Sequence, residues 1–81
     1  MRVIAEIPHS KCKISIFYMN GKYIIQFSSG AMEQSFKISE LDYIIKDAED
    51  VKKIISEEFI ETVLNRFADM HKQLTNALKY Y

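Results

Sequence analysis

The sequence predicts an α+β fold, a four-stranded antiparallel β-meander followed by two or three C-terminal α-helices packed on one sheet face. Two observations lead to this fold. Up to residue 38, apolar and polar residues alternate, which is the period of a strand with one buried face. From residue 39 onward, apolar residues recur every three or four positions, and neither Gly nor Pro interrupts them, as expected of helices.

The size and composition describe an ordinary globular protein. The 81 residues suffice for one domain, which we expect to span residues 1–81. Basic and acidic residues balance at 11 each, so the net charge exerts no long-range attraction on nucleic acid or an anionic membrane. No apolar run approaches the roughly 20 residues that span a bilayer, and the N-terminus lacks a signal-peptide pattern. We therefore expect a soluble, cytoplasmic protein with no membrane partner.

The central hairpin is the clearest element of the predicted sheet, whose strands are expected at 2–7, 12–19, 22–28 and 31–38. Asn20-Gly21 separates the second strand from the third, and it is a strong hairpin signal because both central residues of a type I′ turn need positive φ. A turn here places three apolar pairs on one face. These pairs are Ile14–Phe27, Ile16–Ile25 and Tyr18–Tyr23.

The two outer hairpins follow from the same alternation. Ser29-Gly30 predicts a second two-residue turn, with Phe27 opposite Met32. Gln34 is the polar member of the apolar face in this strand, and we expect its amide to be hydrogen-bonded near an edge. The first strand is predicted to direct Val3, Ala5 and Ile7 to the apolar face and to place Glu6 opposite Lys13.

Three capping signals divide the helical half. Ser39, followed by Asp42 three residues later, predicts a helix near 40–46. Asp47 and Ser56 are the expected caps of a second helix near 48–55 and a long one near 57–79. The first two helices are either separate or merged.

No motif predicts a catalytic, cofactor or metal site. His9 and Cys12 have a spacing that zinc sites use, but a structural zinc site needs four ligands and Cys12 is the single cysteine. Cys12 falls on the apolar face, where burial makes a thiol inert. Gly21 and Gly30 are isolated turn residues rather than parts of a phosphate-binding loop.

The outer sheet face is the first candidate surface. We expect it to carry Ile4, Phe17, Met19 and Ile24, surrounded by lysines. Basic and aromatic residues on a sheet are typical of single-stranded nucleic-acid binding, but a binder of this type usually presents two or three stacking aromatics. A cover supplied by another element or another chain is the simpler interpretation of this apolar centre.

The last helix is the second candidate surface, because its apolar stripe is longer than the sheet. Phe67, Met70, His71, Leu74 and Leu78 continue a stripe that recurs with a seven-residue period from Ile60 to Tyr81. A helix over 57–79 is about 35 Å long, whereas a strand is about 20 Å. We therefore expect a symmetric homodimer with the distal helix in its interface and His71 neutral within the apolar seam.

These surfaces lead to three hypotheses for function. The first is a small non-catalytic, self-associating interaction or regulatory module. The second is a nucleic-acid-binding module that uses the outer sheet face, and the third is a small enzyme with a site at the subunit interface. No pattern in the sequence identifies a small-molecule ligand.

Overall fold

The computed structural model describes residues 2–79 and has the predicted α+β fold, with one four-stranded antiparallel sheet followed by two helices. The strands are β1 (Arg2–Ile7), β2 (Lys13–Met19), β3 (Lys22–Ser29) and β4 (Met32–Ser39), and they pair in chain order. The helices are α1 (Ala48–Ile54) and α2 (Glu57–Leu78). Tyr81, predicted to continue the apolar stripe of the last helix, lies outside the described residues.

The β2–β3 hairpin has the predicted register. Tyr18 pairs with Tyr23, and the pairing continues without a break to Lys13 and Ser28. Asn20 and Gly21 have φ values of 52° and 76°, the left-handed backbone that a type I′ turn requires at both central positions.

The β3–β4 turn lies one residue later than predicted, at Gly30-Ala31. Ser29 pairs with Met32, so the predicted pairing of Phe27 with Met32 is wrong. Gly30 has a φ of 59° and occupies the first central position, where a type II′ turn takes Gly. Because the register changes by two residues, each side chain keeps the face predicted for it.

β1 pairs with β2 through a bulge that was not predicted from the sequence. Val3 lies opposite Phe17, whereas Ala5 lies opposite Ile16, so the register changes at Ile4. Ile4 packs against the core, and Val3 is half exposed on the outer face. The predicted places of Val3 and Ile4 are both wrong, because one extra residue in a strand reverses the faces of the residues before it.

Two predicted polar contacts form. The Gln34 Nε2 donates a hydrogen bond of 2.9 Å to the Val63 carbonyl oxygen, which satisfies the amide on the apolar face. Glu6 is paired with Ser15 rather than Lys13, yet its carboxylate lies 3.9 Å from the Lys13 Nζ. The predicted pairing of Glu6 with Lys13 is therefore wrong, although the two side chains form an ion pair as diagonal neighbours.

No helix forms over residues 40–46, so the predicted first helix is wrong. The Glu40 N–H instead donates to the Gly21 carbonyl oxygen and extends the sheet, and the Asp42 N–H donates to the Ser39 carbonyl oxygen in a single turn. The stronger cap comes later. Asp47 accepts hydrogen bonds from the N–H groups of Glu49 and Asp50, which starts α1 there.

The remaining caps agree with the prediction. The Ser56 Oγ accepts from the Phe59 N–H at 3.1 Å and begins α2. α1 and α2 each end one residue before the predicted position, within the ordinary uncertainty of helix ends.

The core joins the sheet to both helices. Its largest fully buried side chains are Phe27, Ile14, Ile16, Ile25, Val51 and Val63. The four from the sheet alternate along β2 and β3 and therefore share one face, here called the inner face. Val51 and Val63 connect α1 and α2 to this face through the same cluster.

α2 follows β4 in the opposite direction. Near its start, the Phe59 ring lies 5.2 Å from the Phe36 ring, and the Val63 carbonyl oxygen then accepts from Gln34. Met70 lines a groove with Met32, the first residue of β4. The rest of α2 therefore continues past the start of β4.

Candidate interaction surfaces

The outer sheet face carries a small apolar patch, which we define as Val3, Phe17, Met19 and Ile24. Phe17 and Ile24 are direct partners in adjacent strands, and Val3 lies on the other side of Phe17. Ile24 is buried and Phe17 half-buried, although neither belongs to the cluster that joins the sheet to the helices. Neighbouring side chains on the outer face thus cover part of the patch.

The charges around this patch are mixed. Lys13, Lys22 and Lys37 share the outer face with Glu6 and Glu33, according to their positions in the strand register. Phe17 is the one aromatic residue on this face within residues 2–79. Single-stranded nucleic-acid binders place several aromatics in a basic groove, so this arrangement adds no support to the nucleic-acid hypothesis.

A larger groove, the edge groove, lies beside β4 and has a volume of about 850 Å³. Ser35 to Ile38 form its sheet side, Tyr43 to Ile45 its second wall, and Asp50, Ile54 and Phe59 its helical wall. The volume falls within the range of ligand pockets, and most of the lining is apolar, as such pockets usually are. The edge groove is thus a surface fitted to bury apolar side chains.

The one carboxylate that lines the edge groove, among the described residues, is already engaged within the chain. An Asp50 Oδ accepts from the Lys46 N–H at 2.9 Å, and its other oxygen lies 3.8 Å from the Lys53 Nζ. These contacts support the start of α1. No His or Cys of the described chain lines the groove, and its polar lining residues are Ser35, Lys37, Tyr43 and Asp50.

The connection between β4 and α1, residues 40–47, projects apolar side chains into solvent. Leu41 and Ile44 are each 92% exposed, and Tyr43 is 64% exposed. A helix was predicted near 40–46, and the exposed apolar side chains of this connection were not predicted from the sequence. The Asp47 cap is compatible with a separate helix before it, so no capping signal identifies this connection.

Distal α2, defined as residues 68–78, carries a second exposed apolar surface. Leu74 is 45% exposed and Leu78 is 54% exposed. With 100° between successive residues, Leu74 lies on the same helix face as Val63 and Phe67, which are buried. The face that binds the sheet in the first half of α2 is therefore uncovered in the second half.

The predicted members of the helix seam have different environments. Phe67 is buried in the core of its own chain, so the seam begins later than expected. Met70 is half-buried, and together with Leu74 it lines a groove near Met32. His71 is exposed rather than packed within this chain. Leu74 and Leu78 remain as the apolar members available to a partner.

Cys12 has the environment of an inert thiol. It is buried and belongs to the core cluster, and burial raises the pKa of its thiol. His9 lines the same small groove, but the His9 Nδ1 accepts a hydrogen bond from the Lys11 N–H within the β1–β2 turn. A raised pKa disfavours the thiolate, so this pair lacks the property that activates a nucleophilic cysteine.

One aromatic pair ties the end of β4 to the central hairpin. The Tyr18 hydroxyl donates to Glu40 Oε1 at 2.9 Å, and this hydrogen bond is the main cause of a raised pKa at Tyr18. The Tyr18 ring lies 5.1 Å from that of Tyr23 in an edge-on arrangement. Glu40 is thus held at the start of the connection by its side chain as well as its backbone.

Within residues 2–79, no three His, Cys, Asp or Glu side chains are grouped so as to hold a metal ion. None of the described helices combines the length and apolar character needed to cross a membrane. No family model, curated protein or solved structure matches this chain, so its function must be inferred from these surfaces.

Proposed function

We propose that this chain is a non-catalytic interaction module that works as a homodimer, with distal α2 in the interface. One observation carries the proposal. Leu74 and Leu78 extend the buried face of α2 but are about half exposed in the single chain. Contiguous exposed apolar surface on a soluble protein marks an interaction site.

A second copy of the chain is the partner that best fits this surface. A two-fold interface needs one self-complementary patch, which a knob and a groove on the same chain provide. Distal α2 projects beyond the start of β4. The edge groove and the exposed connection lie toward the end of β4. Each copy thus supplies both a projecting apolar helix and an apolar groove.

The lining of the edge groove supports a binding role. The edge groove is lined mostly by apolar residues, and its aspartate is engaged by Lys46 and Lys53. Catalysis by general acid–base chemistry needs a titratable group in a cleft with a suitable pKa. We also propose a cytoplasmic location, since the single cysteine offers no internal disulfide and cytoplasmic proteins keep their thiols reduced.

Sedimentation at micromolar concentration tests the proposal. The parent protein is expected at about twice the chain mass of 9.5 kDa. Leu74→Glu is expected to return it to the mass of one chain, because a buried, unpaired carboxylate opposes association.

Asn76→Glu is the matched control. It adds the same charge two residues away, but on the side of the helix that faces away from Leu74. A dimer is expected to persist in this variant. A parent protein that sediments as a single chain would contradict the proposal, and so would a dimer that Leu74→Glu leaves intact.

A further inference from the structure

We propose that the two copies join along the free edge of β4, forming a continuous eight-stranded antiparallel sheet in which Ser35 of one copy lies opposite Ser35 of the other. This inference rests on the proposed homodimer and identifies its central contact. It also assigns a role to the connection and to the edge groove.

The first support is the unpaired backbone of β4. β4 is the last strand in the sheet and pairs with β3 alone. A two-residue turn closes with a hydrogen bond between its flanking residues, here Ser29 and Met32. Antiparallel pairing then alternates, so Glu33, Ser35 and Lys37 direct their N–H and C=O groups away from β3. No backbone hydrogen bond from elsewhere in residues 2–79 reaches this edge.

The opposite edge of the sheet is less suited to pairing. β1 has six residues and is interrupted by the bulge at Ile4, whereas β4 has eight residues in unbroken register with β3. Bulges and short length are devices that prevent edge-to-edge association. β4 has neither, so it is the edge on which a second strand fits.

Side-chain charge selects the register. In an antiparallel pair of two β4 strands, outer-face residues must lie opposite outer-face residues. The residue that lies opposite its own copy at the two-fold axis, here called the centre, is therefore Gln34, Ser35 or Phe36 near the middle of β4. The Ser35 centre places Glu33 opposite the second copy's Lys37, and the two-fold axis repeats this pair. The other two centres place both charged residues opposite uncharged ones. Opposite charges facing each other across strands stabilise the pairing.

The inner face is compatible with the same register. Met32 of one copy faces Ile38 of the other, so apolar side chains meet on the side of the sheet that carries the core. The side chains of Glu33 and Lys37 are on the exposed outer face. Within the described residues, no ion pair involves Lys37.

This pairing brings the two exposed apolar surfaces together. The second copy's Ile38 faces Met32 of the first copy, and its Tyr43 and Ile44 line the edge groove together with that Ile38. Leu74 of the first copy lines a groove with the same Met32. Leu74 and Leu78 therefore lie beside the second copy's Tyr43 and Ile44, which are exposed in the single chain. The two-fold axis forms this contact twice.

Charge exchange across the edge tests the register. Lys37→Glu and Glu33→Lys, made singly, each create two like-charge pairs and are expected to raise the dimer dissociation constant about tenfold or more. The double variant Glu33→Lys/Lys37→Glu restores both pairs with the charges reversed, and its dissociation constant is expected to return to within about threefold of the parent value.

Lys22→Glu is the matched control, because Lys22 is an exposed outer-face lysine on β3, away from the edge. Its dissociation constant is expected to equal that of the parent. If the parent is a dimer that Leu74→Glu dissociates, but the two single charge variants have no effect, the β4 register is wrong while the proposed homodimer stands. A monomeric parent overturns both.

Amide hydrogen exchange supplies a second readout, which needs no substitution. In a single chain, the amides of Met32, Gln34 and Phe36 are bonded to β3 and exchange slowly, whereas those of Ser35 and Lys37 are open to solvent. In the proposed dimer all five are expected to exchange slowly. Rapid exchange at Ser35 and Lys37 in a dimeric sample would overturn the inference and leave the edge open to a strand from a different protein.

Discussion

The proximal part of α2, residues 57–67, and distal α2, residues 68–78, have the same apolar period but different surroundings. Ile60, Val63 and Phe67 are buried against the sheet, whereas Leu74 and Leu78 on the continuing stripe are about half exposed. The sheet accounts for the difference, because α2 passes the start of β4 near Met70. A period of 3.6 residues thus indicates which face of a helix is apolar, but not what covers it.

The two halves also differ in how they are anchored. The proximal part begins at a side-chain cap from Ser56 and receives a hydrogen bond from Gln34 at Val63. Distal α2 ends with no basic residue in its last turn among the described residues. Substitutions in the proximal part should therefore change the stability of one chain, and substitutions in distal α2 should change association.

The largest expected effect is that of Phe67→Ala. Phe67 is 5% exposed within the core, and truncation of a buried Phe costs about 3–5 kcal/mol of unfolding free energy. Denaturant unfolding measures this loss. The loss should be the same at every protein concentration, because it arises within one chain. A loss below about 1 kcal/mol would mean that the buried part of α2 ends before Phe67.

A smaller effect is expected at the cap of the proximal part. Ser56→Ala removes the acceptor for the Phe59 N–H and should lower the unfolding free energy by about 1 kcal/mol. Asn65→Ala is the control, since Asn65 is an exposed position in the proximal part of α2. The control should stay within about 0.5 kcal/mol of the parent. Equal effects of the two variants would indicate that the cap does not hold α2 in place.

The smallest effect on a single chain is expected for Leu74→Ala. At dilutions that separate the copies, this variant should lose less than about 0.5 kcal/mol of unfolding free energy. The loss should grow as the protein concentration rises, because association stabilises the folded chain by mass action. Thermal melts over a hundredfold range of concentration check this difference. A loss that is large and independent of concentration would place Leu74 in the core of its own chain.

The elements that could be predicted from sequence are those with local causes. The β2–β3 register follows from Asn20-Gly21, whose positive φ values define a two-residue turn. The caps at Asp47 and Ser56 act on N–H groups two or three residues away, and both were predicted. Burial of Cys12 followed from its position on the alternating face.

The errors occur where two local signals compete. Ser39 and Asp47 both have the character of a helix cap, but the Glu40 N–H pairs with Gly21 and prolongs the sheet. That contact joins residues far apart in the chain, and the connection that follows forms a single turn at Ser39–Asp42 instead of a helix. The bulge at Ile4 is similar, because β1 alone has no residue pattern that reveals where its pairing with β2 slips.

By itself, the sequence determined the α+β class, the order of the strands, the central hairpin and the two caps, since alternation, turn residues and capping side chains act over a few residues. The tertiary structure alone decided which apolar residues remain uncovered. Leu41, Tyr43 and Ile44 are exposed because the chain leaves the sheet at Glu40. Leu74 and Leu78 are exposed because α2 extends beyond the start of β4. Both outcomes depend on where distant segments meet, which no local period encodes.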